Sequence, residues 1–249
     1  MGDALERLRP YADRARDFSG WQFPGLVVDH FEGGPPWDYG AIVREHAVGR
    51  ASALDMGTGG GEVLSRMRGA LPERVVAIEE WHVNAPVARD LLAPLGVAVV
   101  RARSIELPFH DAAFDLVLNR HEELDPGEVA RVLAPGGALI TQQVGRSNWQ
   151  ELRTHFPRMT DFGDQRAAYA SGLANAGLIV TTNVEHEFHT AFGSLGDIVY
   201  MLSVTPWSVS DFDVERDLEA LLALEEACRT ERGLVLTEGR YLLVAENPV

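Results

Sequence analysis

The chain has 249 residues, 46% of them hydrophobic, a formal charge of −15 and a single cysteine. A field of that sign repels phosphate backbones, so no nucleic-acid partner is expected. One cysteine, Cys228, leaves no internal disulfide and no multi-cysteine zinc cluster. No window reaches the ~18 uninterrupted apolar residues of a membrane span. The charged N-terminus MGDALERLRPYADRARDF lacks the apolar centre of an export signal, so a cytoplasmic protein without a membrane partner is expected. All 22 basic residues are arginine, a bias we ascribe to GC-rich codons; a local basic patch remains open.

Leu5, Leu8, Ala12 and Ala15 recur at spacings of three and four, which predicts a helix over 3–18. Residues 18–40, FSGWQFPGLVVDHFEGGPPWDYG, are rich in glycine, proline and aromatics and read as a loop or flap. Pro36 is placed to start a helix running through Ile42 and Val43 toward Ala47. From residue 51, ASALDM, RVVAIE, VAVVRA, FDLVLN and ALITQQV read as five short strands. The helical stretches EVLSRMRGAL, 84–93 and GEVARVL fall among them. That alternation implies βαβ units, a parallel sheet and helices on both faces. After residue 150 the rhythm changes. A helix near 164–175 precedes a strand over 178–188, and residues 190–210 are apolar without a clean period. A helix follows in VERDLEALLALEEACRTERG, and the last strand covers 240–246. The two late strands should complete the sheet, with about 190–232 as a helical cap over one edge. A single domain over 1–249 is expected, divided into 1–50, a core over 51–145, and 146–249.

The first strand runs into ALDMGTGGGE, residues 53–62. A phosphate loop needs a lysine after its glycines, and the chain has none. A dinucleotide fingerprint begun at Gly57 meets Glu62 where its third glycine should stand, and that puts a negative charge beside a pyrophosphate. The pattern D-x-G-x-G-x-G is met in full by Asp55, Gly57, Gly59 and Gly61.

Here the sequence resembles the class I S-adenosylmethionine (SAM)-dependent methyltransferases, specifically a small-molecule, type-11-like core. ALDMGTGGGE resembles the first SAM motif, and VVAIEEW the second, with Glu79 18 residues past Gly61. LPFHDAAFDLVLNRH resembles the block around strand four, and EVARVLAPGGALI the helix–PGG–strand block. The resemblance covers roughly 50–145. It implies a three-layer, doubly wound, mostly parallel seven-stranded α/β sheet of the Rossmann-like methyltransferase type. It also implies SAM as cofactor, S-adenosylhomocysteine as product and a small-molecule methyl acceptor.

SAM carries no phosphate, so the turn needs no anion site. Glycines remove Cβ atoms where backbone meets ligand. The resemblance places Asp55, Gly57, Thr58, Gly59 and Gly61 around the methionine and ribose, and Glu79 on the ribose hydroxyls. It sets Ser104 and Ile105 along the adenine and Asn119 at the methionine part. Trp81 packs on the adenine or on the following helix. Two departures stand out. Arg103 sits where relatives often hold the adenine amino group with an aspartate. The segment Asn119-Arg120-His121-Glu122 lacks the two prolines of amino-methyltransferases, which argues against a nucleobase-amine or amide acceptor.

Methyl transfer needs a base only when the nucleophile must lose a proton. His121, two residues past strand four, is the candidate; otherwise it binds backbone and shapes the pocket. His186 and His189 fall on opposite faces of a strand and make no metal pair. Glu122 and Glu123 lack the aspartate pattern of the metal-dependent catechol type, so no metal is expected. Gln142 and Gln143 end strand five and either touch substrate or pair with buried groups. Phe188, Phe192, Tyr200, Met201 and Trp207 are lid or packing residues, and Trp37–Gly40 is a candidate flap. Two other functions stay open: a non-catalytic SAM-fold binding or regulatory protein, and an RNA methyltransferase, against which the charge speaks. Oligomeric state is not readable.

Overall fold

The computed structural model describes residues 2–249. Helix α1 spans Gly2–Ala15 and the dipeptide strand β1 is Val28–Asp29. Helix α2 runs Tyr39–Ala47, not from Pro36. Asp38 sets its start by accepting a hydrogen bond from the Ala41 N–H (3.0 Å), the usual job of an N-cap carboxylate. Strands β2 (Ser52–Met56), β3 (Arg74–Ile78), β4 (Val97–Val100), β5 (Phe114–Arg120) and β6 (Leu133–Val144) follow. Helices α3 (Glu62–Met67), α4 (Asn84–Leu92) and α5 (Pro126–Val132) lie among them. The second half adds α6 (Gln150–His155), α7 (Gln165–Asn175), β7 (Ile179–Phe192), α8 (Leu195–Val204), α9 (Leu218–Cys228), β8 (Arg229–Thr230) and β9 (Gly233–Glu246).

The sheet order is β4-β3-β2-β5-β6-β9-β7-β1, with β8 paired to β9. Strands β2 to β6 are parallel, while β9 runs antiparallel to both β6 and β7. Among the described residues there are nine strands rather than seven, because β1 and β8 add two dipeptides to the expected seven. Strand order reverses between β2 and β5, the switch point where open α/β sheets bind ligands at the carboxyl ends of their strands.

Side-chain alternation divides the core. Ala53, Leu116, Leu118 and Ile140 face Val43, Leu64 and Leu92 of α2, α3 and α4. Leu54, Val117, Leu139 and Leu243 face Val129 and Leu173 of α5 and α7. A third cluster joins α1, α6, α8 and α9 through Leu8, Leu152, Leu195, Val199 and Leu224, closing on Phe192 and Leu236 of the long β7–β9 ribbon. The chain over 190–232 differs from its sequence reading. Residues 190–192 continue β7. The aperiodic stretch after them is α8, whose Leu195–Tyr200 are all buried. A helix with only Met201 and Ser203 partly exposed carries no polar stripe to read. The last helix is shorter than expected because Arg229 and Thr230 already pair with β9.

Candidate functional site

The turn after β2 is built around backbone geometry. Gly57, Gly59 and Gly61 have φ of 68°, 62° and 87°, values that L side chains rarely adopt. A Cβ at Gly61 would stand 2.8 Å from Leu92 Cγ, so the third glycine seats the turn on α4. The first two glycines face side chains from elsewhere. A Cβ on Gly57 would lie 2.4 Å from Glu122 Cβ, and one on Gly59 would lie 2.0 Å from Trp21 Cδ1. The Thr58 N–H donates to the Ile78 carbonyl (3.0 Å), tying the turn to β3. The Glu79 carboxylate, just past β3, accepts from the Gly59 N–H (2.7 Å) and the Trp81 N–H (2.9 Å). Asp55, Thr58, Gly59, Gly61 and Glu79 therefore meet at one place.

The segment 18–23, FSGWQF, straps this turn. Glu62 is buried and accepts from the Trp21 N–H (2.9 Å), and Asn84 Oδ1 accepts from the Gly20 N–H (2.7 Å). The glutamate that spoke against a pyrophosphate thus anchors the strap. Phe18, Trp21 and Phe23 pack with Tyr200 and Met201 of α8 and with half-buried Trp81, so this tryptophan lines the strap. Trp207 meets Trp21 edge-on at 6.0 Å and lines a groove of about 920 Å³ between α1 and residues 206–215. No residue of the glycine turn lines that groove. Trp37–Gly40, read as a flap, instead cap and begin α2: the Trp37 indole donates to Gln142 Oε1 (2.9 Å) and the Tyr39 hydroxyl to the Asn119 carbonyl (3.4 Å). A ligand lying on Gly57 and Gly59 must displace Trp21 and Glu122. Ligand binding is therefore expected to change tryptophan fluorescence, and Trp21→Phe to remove most of the change. An unaltered response in that variant would rule out movement of the strap.

Around the turn the electrostatics favour a cation. Burial pushes Asp55 up to about 7, with Glu79 adding to it and Arg120 opposing. Burial, then Glu79, Glu80 and Glu123, push Glu122 up to about 7 as well. Glu79 is also raised, chiefly by burial. These carboxylates gain from a positive ligand group that replaces their lost hydration.

Asn119, the last residue but one of β5, is fully buried. Its Oδ1 accepts from Thr141 Oγ1 (2.9 Å) and from the Gln143 amide, while its Nδ2 has no partner. Buried polar atoms are normally paired, so this orphan donor is an open position beside the turn. The Gln143 amide also donates to the Glu122 carbonyl (2.7 Å), so both glutamines serve buried pairing. His121 has φ 60°, and its N–H donates to the Gln142 carbonyl (2.8 Å). The residue is exposed overall, and Gln142 Nε2 lies 3.4 Å from its ring Nε2. Desolvation of the ring, then Arg240 and Arg120, hold the imidazole well below its usual range. Ser104 is buried and Ile105 half-buried after β4. Arg103 is exposed and pairs with Glu80 (3.4 Å), linking the loops after β3 and β4. His189 Nδ1 lies 3.0 Å from Glu32, while His186 stacks on Phe188. Sequence reasoning did not assign Trp21 or Glu122 to the turn. The buried charge of Glu62, which demands a donor, was the available signal.

Residues 54–141 match the family model of a methyltransferase domain. No curated protein matches the chain. Among solved structures, a protein of Bacillus halodurans C-125, provisionally described as a methyltransferase, superposes with a TM-score of 0.63 at 18% identity, over 85% of this chain and 99% of its own. A geranyl diphosphate methyltransferase in complex with SAM gives 0.52 at 16% identity, over 84% of each chain. The [4+2]-cyclase SpnF gives 0.53 at 17% identity, over 99% of this chain and 93% of its own. Residues 54–141 thus match a methyltransferase domain, and the chain as a whole shares the fold of these structures.

Proposed function

We propose that the protein transfers a methyl group from SAM to a small-molecule acceptor. The observation that carries this reading is the glycine turn ringed by Asp55, Glu79 and Glu122, three acids raised by burial and awaiting a cation. SAM, when bound, supplies an electrophilic methyl on a cationic sulfonium. Glu79 keeps lone pairs for two ribose hydroxyls beyond those given to Gly59 and Trp81. Asp55 receives the ammonium, and Gly57 and Gly59 allow close approach. The orphan Nδ2 of Asn119 donates to the amino-acid tail. Ser104 and Ile105 lie along the adenine.

Rate then comes chiefly from holding the acceptor in line. His121 stays neutral at physiological pH and can take a proton from the acceptor. The test is S-adenosylhomocysteine release from SAM over a panel of small acceptors. Once an acceptor is found, His121→Asn is expected to lower kcat by roughly a hundredfold while leaving S-adenosylhomocysteine binding unchanged. Unaltered turnover would remove His121 from the chemistry. Failure to bind SAM would remove the whole reading. Cofactor binding without turnover on any acceptor would favour a non-methylating role, and the cyclase of the same fold shows that fold alone does not fix the reaction.

A further inference from the structure

Arginine is the only basic residue type beside histidine in this chain, and nearly every arginine has a partner. Among the described residues, Arg66, Arg89 and Arg120 make no side-chain hydrogen bond, ion pair or ring contact, and Arg66 and Arg89 are exposed. Arg120 is the half-buried one. It ends β5, one residue past Asn119 and one before His121, with its Cα in register with Gln142. Side-chain alternation with Leu118 sends it to the α2–α3 face of the sheet. The charged and titratable groups about it are Tyr39, Arg240, Arg66 and Asp55. Burying a cation costs free energy unless it is paired, and here two further guanidinium groups raise that cost.

Arg240 is occupied by Glu238 and by Asn148 Oδ1 (2.6 Å), whereas Arg120 and Arg66 keep their donors free. Free guanidinium forks match carboxylate and phosphate oxygens. The acids Glu122 and Glu79 lie instead against Gly57 and Gly59 of the turn, and Asp55 is the one acid that acts on Arg120.

We propose that Arg120, with Arg66 beside it, binds an anionic group, a carboxylate or phosphate, on the methyl acceptor. This rests on the methyltransferase reading for its acceptor. The cofactor brings one carboxylate within reach of the same rim, but two free guanidinium groups suit an acceptor anion better than that single, internally balanced charge.

The test measures inorganic phosphate and benzoate binding to the full chain by titration calorimetry at constant ionic strength, with and without saturating S-adenosylhomocysteine. In the wild type both anions are expected to bind. Arg120→Gln should weaken them at least tenfold, Arg120→Lys less, and at pH 8.5, where Asp55 is ionised, both variants should bind S-adenosylhomocysteine within twofold of wild type. Anion binding equal in Arg120→Gln and wild type would overturn the proposal, as would no anion binding to the wild type. It is also overturned if Arg120→Gln loses tenfold or more in S-adenosylhomocysteine affinity but keeps that for methylthioadenosine, which lacks the amino-acid tail. That result would give Arg120 to the cofactor carboxylate. Wild-type protein that binds anions but not S-adenosylhomocysteine would instead refute the methyltransferase reading.

Discussion

Glu79→Ala is expected to remove most of the thermal stabilisation that S-adenosylhomocysteine gives the wild type. A ligand at a hundred times its Kd stabilises the folded state by about 2.7 kcal/mol, which for a chain of this size raises Tm by roughly 5–10 °C. Glu79 carries two bonds to the proposed ribose, each about 1.5–3 kcal/mol when the acceptor is charged. Losing them lowers affinity by roughly a hundredfold or more, leaving a shift of a degree or two. The carboxylate also holds the Gly59 and Trp81 N–H groups, so the alanine variant loosens the turn itself. Glu79→Gln, which keeps one acceptor oxygen, should fall between. Differential scanning fluorimetry of the three proteins at one ligand concentration reads the series. A full shift in the alanine variant would place the ribose elsewhere.

Ligand affinity should fall as pH falls through 7. Asp55, raised from 3.8 to about 7, must ionise to receive an ammonium. Below 7 the ionised fraction drops about tenfold per unit, so S-adenosylhomocysteine should bind roughly thirtyfold more weakly at pH 5.5 than at pH 8. Glu122, also near 7, adds to this slope where the ligand lies against it. The unliganded protein should move the other way. A carboxyl whose folded pKa is raised binds protons better when folded. Its stabilising contribution is complete below the unfolded value near 4 and is lost as pH rises through about 7. Apo stability should therefore rise on mild acidification while affinity declines. Asp55→Asn should flatten both profiles. Calorimetric titration across pH 5.5–8 reads affinity, and a flat affinity profile in the wild type would contradict the role given to Asp55.

The parallel half of the sheet was legible because its signals are local. Short apolar runs, a glycine turn and Pro126 behind a capping Asp125 each fix structure within a few residues. The second half was harder for a physical reason. α8 leaves only Met201 and Ser203 partly exposed, so its sequence has no polar stripe, and the β7–β9 ribbon extends past the sheet because helices cover its far end. In the site, Glu79 and the glycines could be read from spacing. The strap could not, since Trp21 reaches Gly59 across 38 residues through a bond to Glu62 that only the fold reveals. Residues 18–40 read as a loop or flap, and within them FSGWQF lies on the turn while Trp37–Gly40 lead into a helix capped by Asp38. Arg120 was visible only as a departure from a proline motif. Its lack of a partner is a property of the folded chain.

The central claim is that the turn of Gly57, Gly59 and Gly61 holds the adenosine and methionine of SAM. A crystal structure of the protein with S-adenosylhomocysteine tests it most directly. The expected result puts both ribose hydroxyls within hydrogen-bond distance of Glu79, the amino-acid tail against Gly57 and Asn119, and Trp21 and Glu122 swung off the glycines. Crystals grown at millimolar ligand with Trp21 still seated on Gly59, or with the ligand bound away from the turn, would contradict it.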